Sequence, residues 1–280
     1  THFKDAPKMM DAFEYWFGPY PFYEDSFKIV EVPYLGMEHQ SSITYGNKYM
    51  KGYLGRDLSR TGWGLKFDYI IIHEAGHEWF ANNITYKDIA DMWVHESFTT
   101  YSENLFLDYH YGNEAASDYV IGTRDGISNS SPMIGPYGVN KRGSDLYTKG
   151  ANLLHTLRQI AKDDEIWRMI LRGLNSEFYH QTVDTKQIEE FISSKIGFDL
   201  TTFFDQYLRD IRIPNLEYSI SDGLLTYRWV DVIDNFTMPL EIEVLGENIW
   251  IYPTTKKKSI EINSDRIKID RDYYVKSVKI

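Results

Sequence analysis

The sequence predicts an α+β chain, with a mostly helical region and a small sheet up to residue 213 and an all-β region from 214 to 280. Three observations carry this. Between Phe67 and Asp210 apolar residues recur at spacings of three and four, framed by capping signals. Ahead of Phe67 stand two short strand-like runs bounded by turn formers, and after Ile213 and Pro214 come seven more. A chain of 280 residues suffices for one large domain or two smaller ones, so the change of texture divides it into 1–213 and 214–280.

The first element is a helix over 8–18, "KMMDAFEYWFG", where Met9, Met10, Phe13, Trp16 and Phe17 make an apolar face and Gly18 is the stop. Turns around Pro19 and Pro21 follow. "FKIVEVP" and "SSITYG" read as strands flanking "YLGMEHQ", and "RDLSRTGWGLK" reads as a loop. Helices are expected at 67–82, 88–110, 113–123, 147–161, 164–177, 184–195 and 199–209, interrupted by the loop "DGISNSSPMIGPYGVNKRGSD". Asp184 with Gln187 three residues on is close to a capping box. Beyond 213, "LEYSI", "LLTYRWV", "TMPLEIEVLG", "NIWIYP", "KSIEIN", "RIKIDRD" and "YYVKSVKI" resemble the strands of a small antiparallel sandwich.

Composition excludes several classes. A net charge of -11 opposes the positive field that nucleic acid binding requires, so no nucleic acid partner is expected. No apolar run is long enough for a transmembrane segment. With no cysteine there are no disulfides, thiolate ligands or cysteine nucleophile. The opening "THFKDAPKMM" has no initiator methionine, basic region or apolar signal core, so the chain is expected to begin inside a longer gene product. Export to a periplasm or cell envelope is the expected location over the cytoplasm. "NIT" at 83, "NSS" at 129 and "NFT" at 235 have the form of glycosylation acceptors, and Lys256 to Lys258 read as a solvated turn.

Chemistry concentrates in "IIHEAGHEWF", residues 71–80. Two helical residues four apart lie within ~40° of each other and ~6 Å along the axis, so His73 and His77 can reach one ion. Zinc accepts such nitrogens in tetrahedral geometry, and Glu74, offset by ~100°, can reach a water there without ligating. Eight histidines in this length produce a chance H-E-x-x-H in roughly 1–2 of 100 chains. Glu96, with eighteen residues between it and His77, stands on the next expected helix at the spacing of glutamate-ligated zinc peptidases. A carboxylate at one specified position lowers the chance to ~1 in 1000, which decides for one catalytic Zn2+ held by His73, His77 and Glu96.

With Glu96 included, the chain resembles the aminopeptidase N family of zinc metallopeptidases, a gluzincin family that also contains leukotriene hydrolase. "HEAGHEWFANNIT" is similar to its H-E-[LM]-x-H-Q-W-F-G-N-x-V-T, and "DMWVHESFTTYSE" to its D-L-W-L-N-E-G-F-A-x-Y-x-E. "LGMEHQSSITY" at 35–45 resembles the exopeptidase motif G-x-M-E-N, and "YTKGANLLHTL" at 147–157 the Y-x-K-G-A helix start. "TKQIEEFISSKIGFDLTTFFDQYL" resembles the end of the family's catalytic domain, so the likeness runs in order over residues ~8–213.

The resemblance implies a thermolysin-like catalytic domain over 1–213, followed by the family's β-sandwich over 214–280. It implies that the family's N-terminal β-domain, absent from this sequence, packs against the catalytic domain. Glu74 would be the general base, Tyr147 the donor to the oxyanion, and Glu38 the carboxylate that binds a free substrate ammonium, with Gly36 and Met37 beside the substrate. Glu103, seven residues beyond Glu96 and on the same helical face, is a candidate partner for a ligand imidazole. Peptides with a free N-terminus are the expected substrates.

Six positions depart from the family pattern: Leu35, His39, Glu78, Ala81, His95 and Ser97. They leave the ligands and base intact, but His39, His95 and Ser97 are expected near the substrate, where they would alter specificity. Aminopeptidase activity is the leading reading. A zinc endopeptidase on the same scaffold and a folded but inactive peptide-binding fragment stay open beside it.

Overall fold

A computed structural model describes residues 2–280. Helix α1 (Asp5–Phe17) buries Met9, Ala12, Phe13, Trp16 and Phe17, and ends at Gly18 with φ 94°, as the spacing predicts, though it starts three residues earlier. Strands β1 (Lys28–Glu31), β2 (Gly36–Met37) and β3 (Ser42–Tyr45) form a sheet with β3 in the middle, parallel to β1 and antiparallel to β2. Part of "YLGMEHQ" is therefore itself a strand.

Helix α2 (Tyr69–Gly76) is capped by the Asp68 carboxylate, which accepts from the amides of Ile70 and Ile71. It is shorter than the expected 67–82. After His77 the chain widens into a π-type turn, with Asn82 N on His77 O at 2.9 Å, and Phe80 and Ala81 leave helical geometry. The cause is tertiary: the Phe80 carbonyl turns inward to accept from His77 Nδ1 and Thr99 Oγ1. Strand β4 (Ile84–Tyr86) then pairs in parallel with β5 (Gln181–Val183), a pairing too short to leave a sequence period.

Helix α3 (Trp93–Tyr111) begins five residues later than expected, after a short 3-10 turn at Ile89–Asp91. Every residue from Trp93 to Leu107 is buried, so this helix is covered on all sides. It packs against α1, α2, α4 (Asn113–Gly122) and α5 (Thr148–Ala161). Helix α6 (Asp164–Glu177) and α7 (Thr185–Ile196) follow, the latter with the predicted reciprocal bonds between Asp184 and Gln187. The last expected helix reduces to α8 (Thr201–Phe204) and a π-type turn, Asp205–Arg209.

The β-region holds two sheets. One orders β10 (Lys258–Glu261), β7 (Leu224–Val230), β6 (Asn215–Ser221) and β12 (Lys276–Lys279); the other orders β11 (Lys268–Ile269), β8 (Leu240–Val244) and β9 (Glu247–Ile251). The expectation of a purely antiparallel arrangement is corrected by β12, which runs parallel to β6. Just before β12, the chain is tied to the helical body: Tyr207 Oη donates to Tyr274 O at 2.7 Å and Tyr274 N to Thr156 Oγ1 at 2.9 Å. Both strands thus set out from the same body, β6 after Asp210 and β12 after Tyr274, and run the same way. One apolar core continues from Met9 to Tyr274 through both regions. Lys256 and Lys257 are exposed in the turn before β10, as expected, whereas Asn83 is buried and bonded to Asn175, so its triplet is no acceptor. Among the described residues, no helix is long and apolar enough to cross a membrane.

The contact between α2 and α3 is close at Gly76, where an added Cβ would lie 2.6 Å from Ser102 Oγ and 3.1 Å from Thr99 Cγ2. Ser102 Oγ is held by its bond to Thr99 O, so it cannot move aside cheaply. Gly76→Ala is expected to destabilise the chain by about 1–3 kcal/mol through overpacking. Urea unfolding checks this; a midpoint at or above the parent value contradicts the close approach.

Candidate active site

Helix α2 presents His73 and His77 one turn apart, with ring centroids 5.1 Å from each other. Helix α3 brings Glu96 opposite them: its Oε2 lies 3.7 Å from His73 Nε2 and 3.5 Å from His77 Nε2. The three residues predicted as ligands therefore converge, and all are buried. Donors ~2.0–2.2 Å from a tetrahedral zinc sit ~3.3–3.6 Å from one another, so these separations fit one ion. Glu96 Oε2 is buried without a hydrogen-bond partner, a costly state that a cation would relieve.

The other face of each imidazole is fixed. His73 Nδ1 donates to Glu103 Oε1 at 2.8 Å, as the seven-residue offset from Glu96 suggests. Glu103 is held in turn by the Tyr119 hydroxyl at 2.5 Å. His77 Nδ1 faces Phe80 O at 3.2 Å and Thr99 Oγ1 at 3.1 Å. Both Nε2 atoms are thereby left to face the centre. Burial alone would lower the pKa of His73, but Glu103 and Glu96 outweigh it and push it up to about 10, a sign that the centre favours positive charge. Burial raises Glu96, yet the two histidines pull its carboxyl down to about 2.

Glu74 projects beside the ligands. Burial, with Glu38 and Glu96 nearby and His73 opposing, pushes its carboxyl up to about 7, a range suited to taking and returning a proton. Glu38, Glu74 and His77 offer ligand atoms within 4.8 Å of one another, so the expected amine anchor lies next to the expected base. Gly36 is what permits this: a Cβ there would meet Glu74 Oε1 and Ile70 Cγ2, each at 2.8 Å. Met37 is 43% exposed at the same edge. Tyr147 stands at the start of α5 with its ring 6.0 Å from that of His73. Burial and the Glu96 charge push its phenol up to about 12, so it stays a donor at neutral pH.

Three of the departures from the family pattern find structural work. His95 Nε2 accepts the Tyr86 amide at 2.9 Å, which joins α3 to β4, and Ser97 donates to Leu146 O at 2.7 Å. Both bonds give these side chains a role in joining elements of the fold. Glu78 is buried and accepts the Ser41 amide at 2.7 Å. His39 remains exposed, Leu35 packs on the core, and Ala81 has φ 167°, outside the left-handed region that would demand glycine.

Sequence reasoning missed Tyr69, whose ring stacks on His73 at 5.1 Å and 14°, with its hydroxyl 3.3 Å from His73 Nδ1. Its place four residues before His73 was the available signal. Thr99, three residues after Glu96, was equally readable. A cavity of about 890 Å³ lies apart, between the end of α1 and α6, and includes none of these residues.

A family model described as the Peptidase family M1 domain matches residues 2–207. A "Probable aminopeptidase 1" of Sulfurisphaera tokodaii is 21% identical over 98% of this chain and 36% of its own length. A "Leucyl aminopeptidase" of Saccharolobus solfataricus is 22% identical over 88% and 34%. The chain thus spans about a third of the length of these relatives. A solved M1 zinc metallopeptidase from Deinococcus radiodurans, bound to a Tyr-Ser-Ala substrate, superposes with a TM-score of 0.59 at 20% identity, covering 74% of this chain and 44% of that one.

Glu103→Ala is expected to lower zinc affinity ~10–100-fold by releasing the His73 ring. Chelator competition measures it, and an unchanged affinity would show that the bond does not orient the ligand.

Proposed function

The chain belongs to the M1 peptidase family, and on that premise we propose that it is a zinc aminopeptidase that hydrolyses the first peptide bond of substrates with a free N-terminus. Residues 1–213 would form its catalytic domain and 214–280 a supporting β-domain. One observation carries the reading: the His73, His77 and Glu96 donors converge on one point, while Glu74 and Glu38 approach it from the adjoining side. The donor set of two imidazoles and one carboxylate suits zinc, which when bound supplies Lewis acidity towards water and the scissile carbonyl.

The remaining work falls to the chain. Glu74 takes a proton from the attacking water and passes it to the leaving amine, a role supported by its pKa of about 7. The Tyr147 hydroxyl, kept protonated, donates to the oxygen where negative charge develops. Glu38 accepts from the substrate ammonium and so sets which bond lies over the base. Gly36 gives the backbone room to approach, and Met37 offers an apolar surface to the first side chain.

Hydrolysis of aminoacyl fluorogenic amides by the zinc-loaded chain tests this. Unblocked substrates are expected to react at least ~100-fold faster than N-acetylated ones. Equal rates on both would establish an endopeptidase instead. Glu74→Gln is expected to lower kcat by ~10²–10⁴. One bound zinc without any Glu74-dependent turnover would mark an inactive fragment. Tyr147→Phe is expected to lower kcat ~10²–10³ with KM little changed; an unaltered kcat excludes it as the oxyanion donor.

A further inference from the structure

The turn that carries Glu38 hangs on the segment directly after His77. The fully buried Glu78 accepts the Ser41 amide through Oε1 at 2.7 Å. Four residues on, Asn82 Nδ2 donates to the Glu38 carbonyl at 2.9 Å. Ser41 has φ 57°, which turns the chain back towards β3, and its hydroxyl accepts from the buried Tyr20 at 3.3 Å. Both ends of the Glu38–Ser41 turn are therefore bonded to the π-type turn Glu78–Asn83, which starts at a zinc-ligand candidate. A buried carboxyl is a costly acceptor unless the placement of the groups it holds, the Ser41 amide first among them, matters.

We propose that Glu78, assisted by Asn82, is a positioning residue for substrate amine binding: by clamping Ser41 it fixes the distance between the Glu38 carboxylate and the His73, His77 and Glu96 centre. Glu78 touches neither the substrate nor the ion. It transmits the position of the His77 backbone to the residue that holds the N-terminus, so the ammonium anchor and the catalytic centre are built on one rigid turn. The inference rests on the reading of Glu38 as the ammonium anchor.

The test compares Glu78→Gln, Glu78→Leu and Asn82→Ala in the zinc-loaded chain. KM and kcat are measured on an unblocked aminoacyl amide, and amide hydrogen exchange is followed over residues 38–41. Glu78→Gln keeps an acceptor for Ser41 N and is expected to stay within about threefold of the parent. Glu78→Leu is expected to raise KM about tenfold with kcat within about threefold, and to speed exchange at Ser41 about tenfold or more. Asn82→Ala, at a half-buried position, is expected to shift KM in the same direction by a smaller factor, and it decides the matter if the leucine variant does not fold. Faster exchange with an unchanged KM shows a purely structural clamp and overturns the proposal, as does unchanged exchange. If the parent cleaves N-acetylated substrate equally well, the role of Glu38 fails instead, while exchange at Ser41 still reports whether the clamp exists.

Discussion

Helix α3 lies against α2 where Gly76 leaves no Cβ between Ser102 and Thr99, and the rest of the site depends on that closeness. The same approach carries Glu96 to 3.5 Å from His77 and Glu103 to 2.8 Å from His73, because the two glutamates are seven residues apart and share one face of α3. One helix thus supplies a ligand and the group that orients another ligand. The burial of α3 on all sides follows from this placement, since a central helix that carries charges inward needs cover from α1, α4 and α5.

Electrostatics bind the arrangement to a cation. Glu74, Glu96 and Glu103 are all buried, with Glu38 half-buried beside them, so negative charge accumulates where water is scarce. Unpaired charges in such surroundings are costly. Two responses appear in the structure: the proton affinity of Glu74 rises, and that of His73 rises with it. A divalent ion at the convergence point would offset the negative charge of the cluster.

How much was legible beforehand follows from the range of each interaction. His73 and His77 were readable because helical geometry makes spacing equivalent to direction, and Glu96, on the next helix, because it stands at the spacing of glutamate-ligated zinc peptidases. The helices from α4 to α7 were readable through their periodicity and caps, Asp184 with Gln187 above all. Tyr147 and Glu38 were accessible only through motif resemblance, since nothing local distinguishes one tyrosine among 22. The end of α2 was misjudged because the bend comes from the Phe80 carbonyl meeting Thr99, a residue of another helix. Glu78 and His95 were opaque for the same reason: their partners, Ser41 and Tyr86, sit on strands or turns that no periodicity couples to them.

Zinc K-edge X-ray absorption of the zinc-loaded chain tests the central claim most directly. The expected spectrum has two imidazole nitrogens at ~2.0–2.1 Å and carboxylate oxygen at ~2.0–2.2 Å, with imidazole scattering reduced to one ring in His77→Ala. Zinc that binds with no imidazole in its shell, or a spectrum indifferent to His77, would contradict a centre built from His73, His77 and Glu96.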